Sequence, residues 1–237
     1  MSNNKCCAGR QPRVAIFAGL LFMATQAAAY AAPSQPSATT VSEILTGMAE
    51  NTKGLTSYEV PFHIDAHFKK FIFSKRVPLD GIRYFKAPDK SALKMTNVPA
   101  QAKDFSQIYS WLGTPTTWPS IYDITLASTK SLGVYELRAT YKPNSKVHAL
   151  LDKAAQSTVD HILLDVDAQT FDPVRVAWFY HNGSRITMNI TTGIVGGYHL
   201  PKRESVDMSL PDHHVNALIT FGTYQTNILI PDATFSK

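Results

Sequence analysis

One stretch, residues 165–208, constrains the fold of this 237-residue chain more than any other. Val174, Val176, Trp178 and Tyr180 alternate with Arg175, Ala177, Phe179 and His181, the period-two pattern of a strand with one drier face. After Asn182-Gly183, Ile186, Met188 and Ile190 alternate with Arg185, Thr187, Asn189 and Thr191. A two-residue loop at Asn182-Gly183 would set Phe179 opposite Ile186 and separate the two apolar faces. A three-residue loop, His181-Asn182-Gly183, pairs Tyr180 with Ser184, Trp178 with Ile186 and Val176 with Met188, which unites them. It also puts Gly183 on the left-handed position that such loops require. A slip of one residue would turn every side chain over, so the face-matching register is expected. After Gly196-Gly197, Leu200-Pro201-Lys202 opens a third strand that ends near Met208. The stretch is an antiparallel meander with one apolar face.

The length suits one all-β or α+β domain, and the low charge with ordinary apolar content suits a folded one. Lys5, Arg10 and Arg13, the apolar run over residues 14–29 and the small-x-small site Ala29-Tyr30-Ala31 read as an export signal over residues 1–31. Residues 32–39, rich in Pro and Ser, form a linker, and residues 40–237 a single domain. Without the leader's three cations the net charge of +5 falls to +2, and no basic run remains to track nucleic acid. Cys6 and Cys7 leave with the leader, so the mature chain has no thiol chemistry. The destination is outside the cytoplasm.

Thr40-Val41-Ser42-Glu43 has the spacing of a capping box, and Val41, Ile44, Leu45 and Met48 follow at helical spacing, with Gly54 near the end. Tyr58, Val60, Phe62, Ile64, Ala66 and Phe68 then alternate with polar residues; Pro61 argues that this strand is at an edge or bulged. Short strands are expected over residues 81–85 and 92–96, joined by the turn Ala87-Pro88-Asp89-Lys90. Residues 98–118 are irregular, with a helix over 103–112 and loop around Trp118. Strands resume at Tyr122, Ile124 and Leu126, at Tyr135, Leu137 and Ala139, and at Ile162, Leu164 and Val166, with a helical insertion over 146–155. A last strand spans 215–224, followed by a tail.

No nucleophile elbow, P-loop, dinucleotide fingerprint or H-E-x-x-H is present, and no cofactor is implied. His63, Asp65 and His67 share a strand face about 7 Å apart, within reach of one metal. With Glu59 and Lys69 on the same face and no fourth ligand, a solvated outer face is favoured, and no metal site is assigned. His213-His214 and Asp160-His161 read as loop pairs, and Asp165 with Asp167 lacks a burial signal.

Taken together, these pieces resemble the LolA-like family of periplasmic lipoprotein carriers and lipid-binding domains. The amphipathic helix at 41–48 and the strand led by Tyr58 match its start. Gly81-Ile82-Arg83-Tyr84-Phe85-Lys86-Ala87-Pro88-Asp89-Lys90 matches its glycine, strand and "kxPdk" signature. Pro173-Val174-Arg175-Val176, Asn182-Gly183 and Leu200-Pro201-Lys202 match its meander, and Asn227, Pro231-Asp232 and Phe235 its tail. The resemblance implies an α+β fold: a strongly curved, unclosed antiparallel half-barrel of about ten or eleven strands, with helices covering the concave face. It implies a non-catalytic carrier of lipid or acylated protein, monomeric, periplasmic, and in transient contact with a membrane or membrane protein. The cavity residues it implies are Phe62, Ile64, Tyr84, Val176, Trp178, Tyr180 and Met188, with Trp111 and Trp118 on a lid or loop. Arg83 and Arg175 both lie in matched strands and both stand as candidates for the carrier's functional arginine. From the residues alone, a closed core serving a protein-interaction or sensing module stays open beside the cavity.

Overall fold

In this computed structural model the described residues are 39–70, 72–96, 114–130, 133–143 and 157–235. The helix expected over 103–112, the insertion over 146–155 and Trp111 lie outside them. Helix α1 (Val41–Glu50) starts as its capping box dictates. The Thr40 hydroxyl accepts the Glu43 N–H at 3.2 Å, and the Glu43 carboxylate accepts the Thr40 N–H at 2.7 Å. The bond from the Thr40 N–H, and a second from the Thr40 hydroxyl at 3.0 Å, hold the Glu43 carboxyl below its ordinary range. Ile44, Leu45 and Met48 go into the core. The helix stops at Asn51 rather than at Gly54, which lies beyond it at φ +82°. Tertiary partners set that end. The Asn51 amide donates to the Thr170 carbonyl and the Asp172 carboxylate, and the Asn51 carbonyl accepts the His199 N–H.

Eleven strands form one antiparallel sheet. A first meander contains β1 (Ser57–Lys70), β2 (Phe73–Lys86) and β3 (Lys90–Thr96). After the single turn α2 (Trp118–Ile121), a second runs through β4 (Tyr122–Lys130), β5 (Val134–Tyr141), β6 (Val159–Asp167), β7 (Pro173–Tyr180), β8 (Arg185–Val195), β9 (Tyr198–Ser209) and β10 (His214–Phe221). β1 pairs with β10 and joins the two, and the short β11 (Gln225–Thr226) continues along β1 beyond β10. The sheet ends at β3 on one side and β4 on the other, so it is an unclosed half-barrel. The expected register of the meander is observed: Trp178 pairs with Ile186, Val176 with Met188, and the Tyr180 N–H reaches the Ser184 carbonyl at 3.0 Å. Gly183 takes φ +83°.

Of the two readings of Pro61, an edge strand or a bulged one, the edge reading fails. β1 is not an edge strand; β2 flanks it on one side, β10 and β11 on the other. Pro61 is tolerated because of where its missing N–H points. The Pro61 carbonyl accepts the Gly222 N–H, so its nitrogen faces the same gap between the end of β10 and the start of β11. No ladder bond is lost there.

The turn between β6 and β7 clamps α1. The Asp167 carboxylate accepts the N–H groups of Gln169 and Thr170 at 2.9 and 2.8 Å, and the Thr170 bond above all holds its pKa below the ordinary range. The turn presents Phe171, at φ +56°, to Gly47, where an added Cβ would lie 2.5 Å from the ring. Tyr135 stacks on Phe171 and bonds Thr39 just before the helix.

In an open helix Gly→Ala stabilises by about 1 kcal/mol. Against the Phe171 ring the sign reverses: Gly47→Ala lowers stability by about 1–3 kcal/mol in urea unfolding, and in a Phe171→Ala background it becomes stabilising. A depressed carboxylate stabilises fully above the ordinary Asp range and loses that contribution as pH falls through its lowered value. Asp167→Ala therefore costs most near neutral pH, and its deficit against wild type shrinks towards about pH 3.

Candidate functional site

Cross-strand partners share a face, and the pairings carry apolar rows across nearly the whole sheet. One row runs Ile124, Ala139, Ile162, Trp178, Ile186, Met208, Val215 and Phe68. The next runs Leu126, Leu137, Leu164, Val176, Met188, Val206, Ala217, Ala66 and Val77. Most of these side chains are buried, in one cluster with Ile44, Leu45 and Met48 of α1.

Of the residues expected to line a cavity, Phe62, Ile64, Val176, Trp178, Tyr180 and Met188 share this inner face and are buried. Tyr84 does not. It pairs with Glu59 and Ala92 on the opposite face, half-exposed, with the Lys94 ammonium 5.4 Å from its ring centroid. In β2 the inner positions belong to Arg83 and Phe85, because Gly81 sits opposite Phe62 and sets the parity. Trp118 is half-buried in α2, against the core.

The space lies at the β4 end. A small apolar cavity of about 30 Å³ is bounded by Trp118, Tyr122, Ile124, Leu137, Ala139, Ile162, Leu164 and Val176. Tyr122 and Ile124 also line an open groove of about 720 Å³ between α1 and the α2–β4 segment, walled by Val41, Leu45, Ala49, Pro115 and Pro119. Glu50, Asp123 and Lys142 supply its charge. The Lys142 ammonium donates to the Pro119 carbonyl at 2.7 Å and lies 3.8 Å from Asp123. Burial raises the Tyr122 phenol and outweighs its hydrogen bond to Tyr141, so the hydroxyl stays neutral. The groove matches the usual size of a small-ligand site; the cavity beneath it holds little more than a water. Of the cavity residues, sequence reasoning named Val176 and Trp118 alone. The alternation in β4, β5 and β6 carried the signal for the rest, but which end of the sheet stays unfilled is a tertiary property.

One charged pair enters the inner face. Arg83 lies 3.8 Å from Glu204, which is 2 % exposed, and its guanidinium stands 6.0 Å from the Phe221 ring centroid. Burial, above all, raises the neighbouring phenols of Tyr58 and Tyr224, and the Tyr224 hydroxyl donates to the Pro201 carbonyl at 2.6 Å. Arg175 is on the other face, held by Asp165 at 2.8 Å and near Glu136. Of the two arginines singled out, Arg83 alone faces inward.

The remaining sequence candidates stay apart. His63 bonds Asp80 and His67 bonds Ser74, on the outer face, and no group of metal-ligating side chains occurs among the described residues. His213 and Asp160 engage their chain neighbours, Asp212 and His161, while His214 reaches Asp207 across the β9–β10 hairpin. No helix among the described residues is long and apolar enough to cross a membrane.

An open antiparallel half-barrel with an apolar inner face is a recognisable class, and comparison with known proteins places it. No protein-family model and no curated protein matches the chain. Solved structures do. A LolA superfamily protein from Nitrosomonas europaea matches at TM-score 0.58 and 16 % identity, over 84 % of this chain and 99 % of its own. A DUF1329 family protein from Desulfovibrio piger matches at 0.56 and 12 %, over 83 % and 95 %. A putative outer membrane lipoprotein-sorting protein domain from Vibrio parahaemolyticus matches at 0.50 and 9 %, again over 83 % and 95 %. The chain has the LolA-like fold.

Glu204→Ala removes the buried carboxylate that faces the Arg83 guanidinium at 3.8 Å. It lowers stability by about 3–5 kcal/mol in chemical denaturation, whereas substitution of the exposed Asp80 on the outer face changes it by less than about 0.5 kcal/mol.

Proposed function

We propose that the protein is an exported, non-catalytic carrier that holds acyl chains, free or protein-linked, against the inner face of its half-barrel. The observation that carries this reading is the pair of unbroken apolar rows leading to the open groove between α1 and β4. An acyl chain needs no special chemistry there, since each methylene withdrawn from water contributes about 0.8 kcal/mol. The groove admits the chain beside Tyr122 and Ile124. Deeper seating displaces Trp118 and α1 and exposes Val176, Trp178, Tyr180 and Met188, and then Phe62 and Ile64. The lipoprotein-sorting name of the Vibrio parahaemolyticus domain supports the same cargo class. In this reading residues 1–31 are the export signal and residues 40–237 work in the periplasm as a monomer, unloading at a membrane or membrane protein.

A second reading has its own observation: the inner-face residues are buried and the cavity is small, as in a closed core that serves a protein partner.

Native mass spectrometry of the protein from a cell envelope, followed by extraction, distinguishes the two. Stoichiometric acylated species are expected. Ile124→Trp, which narrows the shared wall of groove and cavity, is expected to weaken binding of a fluorescent fatty acid about tenfold without loss of fold. A lipid-free protein that also fails to bind the fatty acid would overturn the carrier and leave the closed core.

A further inference from the structure

The two longest strands make a hairpin that outruns β3, its neighbour on one side. β1 and β2 are fourteen residues each. β3 pairs with β2 from Asp80 to Lys86, and β10 begins opposite Lys69, after the turn that joins it to β9. The apex of the hairpin therefore stands well beyond β3 and level with the β9–β10 turn over residues 210–213, about 40 Å along β1 from its start. There Ile72 is 90 % exposed and Phe73 74 %. A single exposed apolar side chain is ordinary; two adjacent ones at the apex of a hairpin are not.

Cations collar that apex on both faces. The pairing of Phe68 with Lys75 puts Lys75 on the face of Phe73, and the pairings of His67 with Arg76 and Lys69 with Ser74 put Arg76 and Lys69 on the other. All three are exposed. The ion pairs among the described residues engage other lysines and arginines, and residues 66–79 contain no Asp or Glu. Arg76 borders a polar depression of about 370 Å³ with Asp65 and Asp207 without coming into ion-pair range of either. The lysine and arginine collar also guards the free edge of β2 against pairing with another chain, as does the exposed Pro78.

We propose that this apex is a membrane-docking tip. Ile72 and Phe73 enter the interfacial layer of an anionic bilayer, and Lys69, Lys75 and Arg76 meet its phosphate headgroups. Apolar area alone would suit a protein groove as well; the exposed cations around it select the negative lipid surface. The inference needs no cavity, so it stands or falls apart from the carrier reading.

Flotation of the full chain with phosphatidylcholine vesicles, with and without phosphatidylglycerol, tests it. Binding is expected to the anionic vesicles and to weaken as salt is raised. Ile72→Ser/Phe73→Ser is expected to lower partitioning at least about tenfold, and Lys75→Ser and Arg76→Ser about fivefold each, all with an unchanged melting temperature. The indole of Phe73→Trp is expected to blue-shift with anionic vesicles and to be quenched by brominated lipid. Wild-type protein that ignores both vesicles, or variants that bind as wild type does, would overturn the proposal. So would a dimer in sedimentation that Ile72→Ser/Phe73→Ser dissolves, since the apex would then belong to a second copy.

Discussion

The fold depends on one strand pairing. β2 and β3, and every strand from β4 to β10, pair with a neighbour that is adjacent in sequence, so each meander can assemble from local contacts. β1 against β10 is different: it joins residues from opposite ends of the domain, Phe62 with Phe221 and Ile64 with Ile219. Such a contact must offset the loop-closure entropy of the whole intervening chain. It does so by burial, since Val60, Phe62, Ile64, Ala66, Val215, Ala217 and Ile219 all leave water in that seam. Without it two ribbons would remain, each with an exposed apolar face.

Polar contacts then fasten the seam at the far end of β1. Asn227, at φ +56°, accepts the Thr56 N–H and hydroxyl through its side chain and donates to the Tyr198 hydroxyl. Ser57 bonds the Ile228 carbonyl, and Asp232 sits between Lys86 and Lys90 at 2.8 and 3.1 Å. Motifs that stand far apart in the sequence, the Lys86-to-Lys90 turn and the Pro231-Asp232 tail, thus form one ionic clasp. The two lysines hold the Asp232 carboxyl below its usual range. Their spacing was visible along the chain; their meeting was not.

The inner face explains how one surface can be both core and site. Near β1, β9 and β10 the rows are closed, and Arg83 with Glu204 is a polar inclusion that apolar packing alone would not select. Towards β4 the sheet has no further strand to pair with among the described residues, and the packing opens into the groove that α1 and β4 line. Position in the sheet, rather than residue type, separates Val206, a core residue, from Ile124, a groove residue.

Much of this was legible in the sequence, for a local reason. Alternation, the left-handed glycine at 183 and the capping box at Thr40 each report a backbone geometry that neighbouring residues impose, and so the strands, the His181-to-Gly183 loop and the start of α1 follow from the chain itself. The parity of Tyr84 was lost because both faces of β2 carry aromatic rings, and only the pairing of Gly81 with Phe62 decides which of them points inward. Pro61 read as an edge signal because its missing donor is local, while the gap between β10 and β11 that accommodates it is made by residues about 160 positions later. The helix stop at Asn51, the clamp of Phe171 on Gly47 and the unfilled end of the sheet are of the same kind. Sequence determined which residues share a face; tertiary structure decided what each face meets, because burial and pairing are properties of surfaces that only the folded chain brings together.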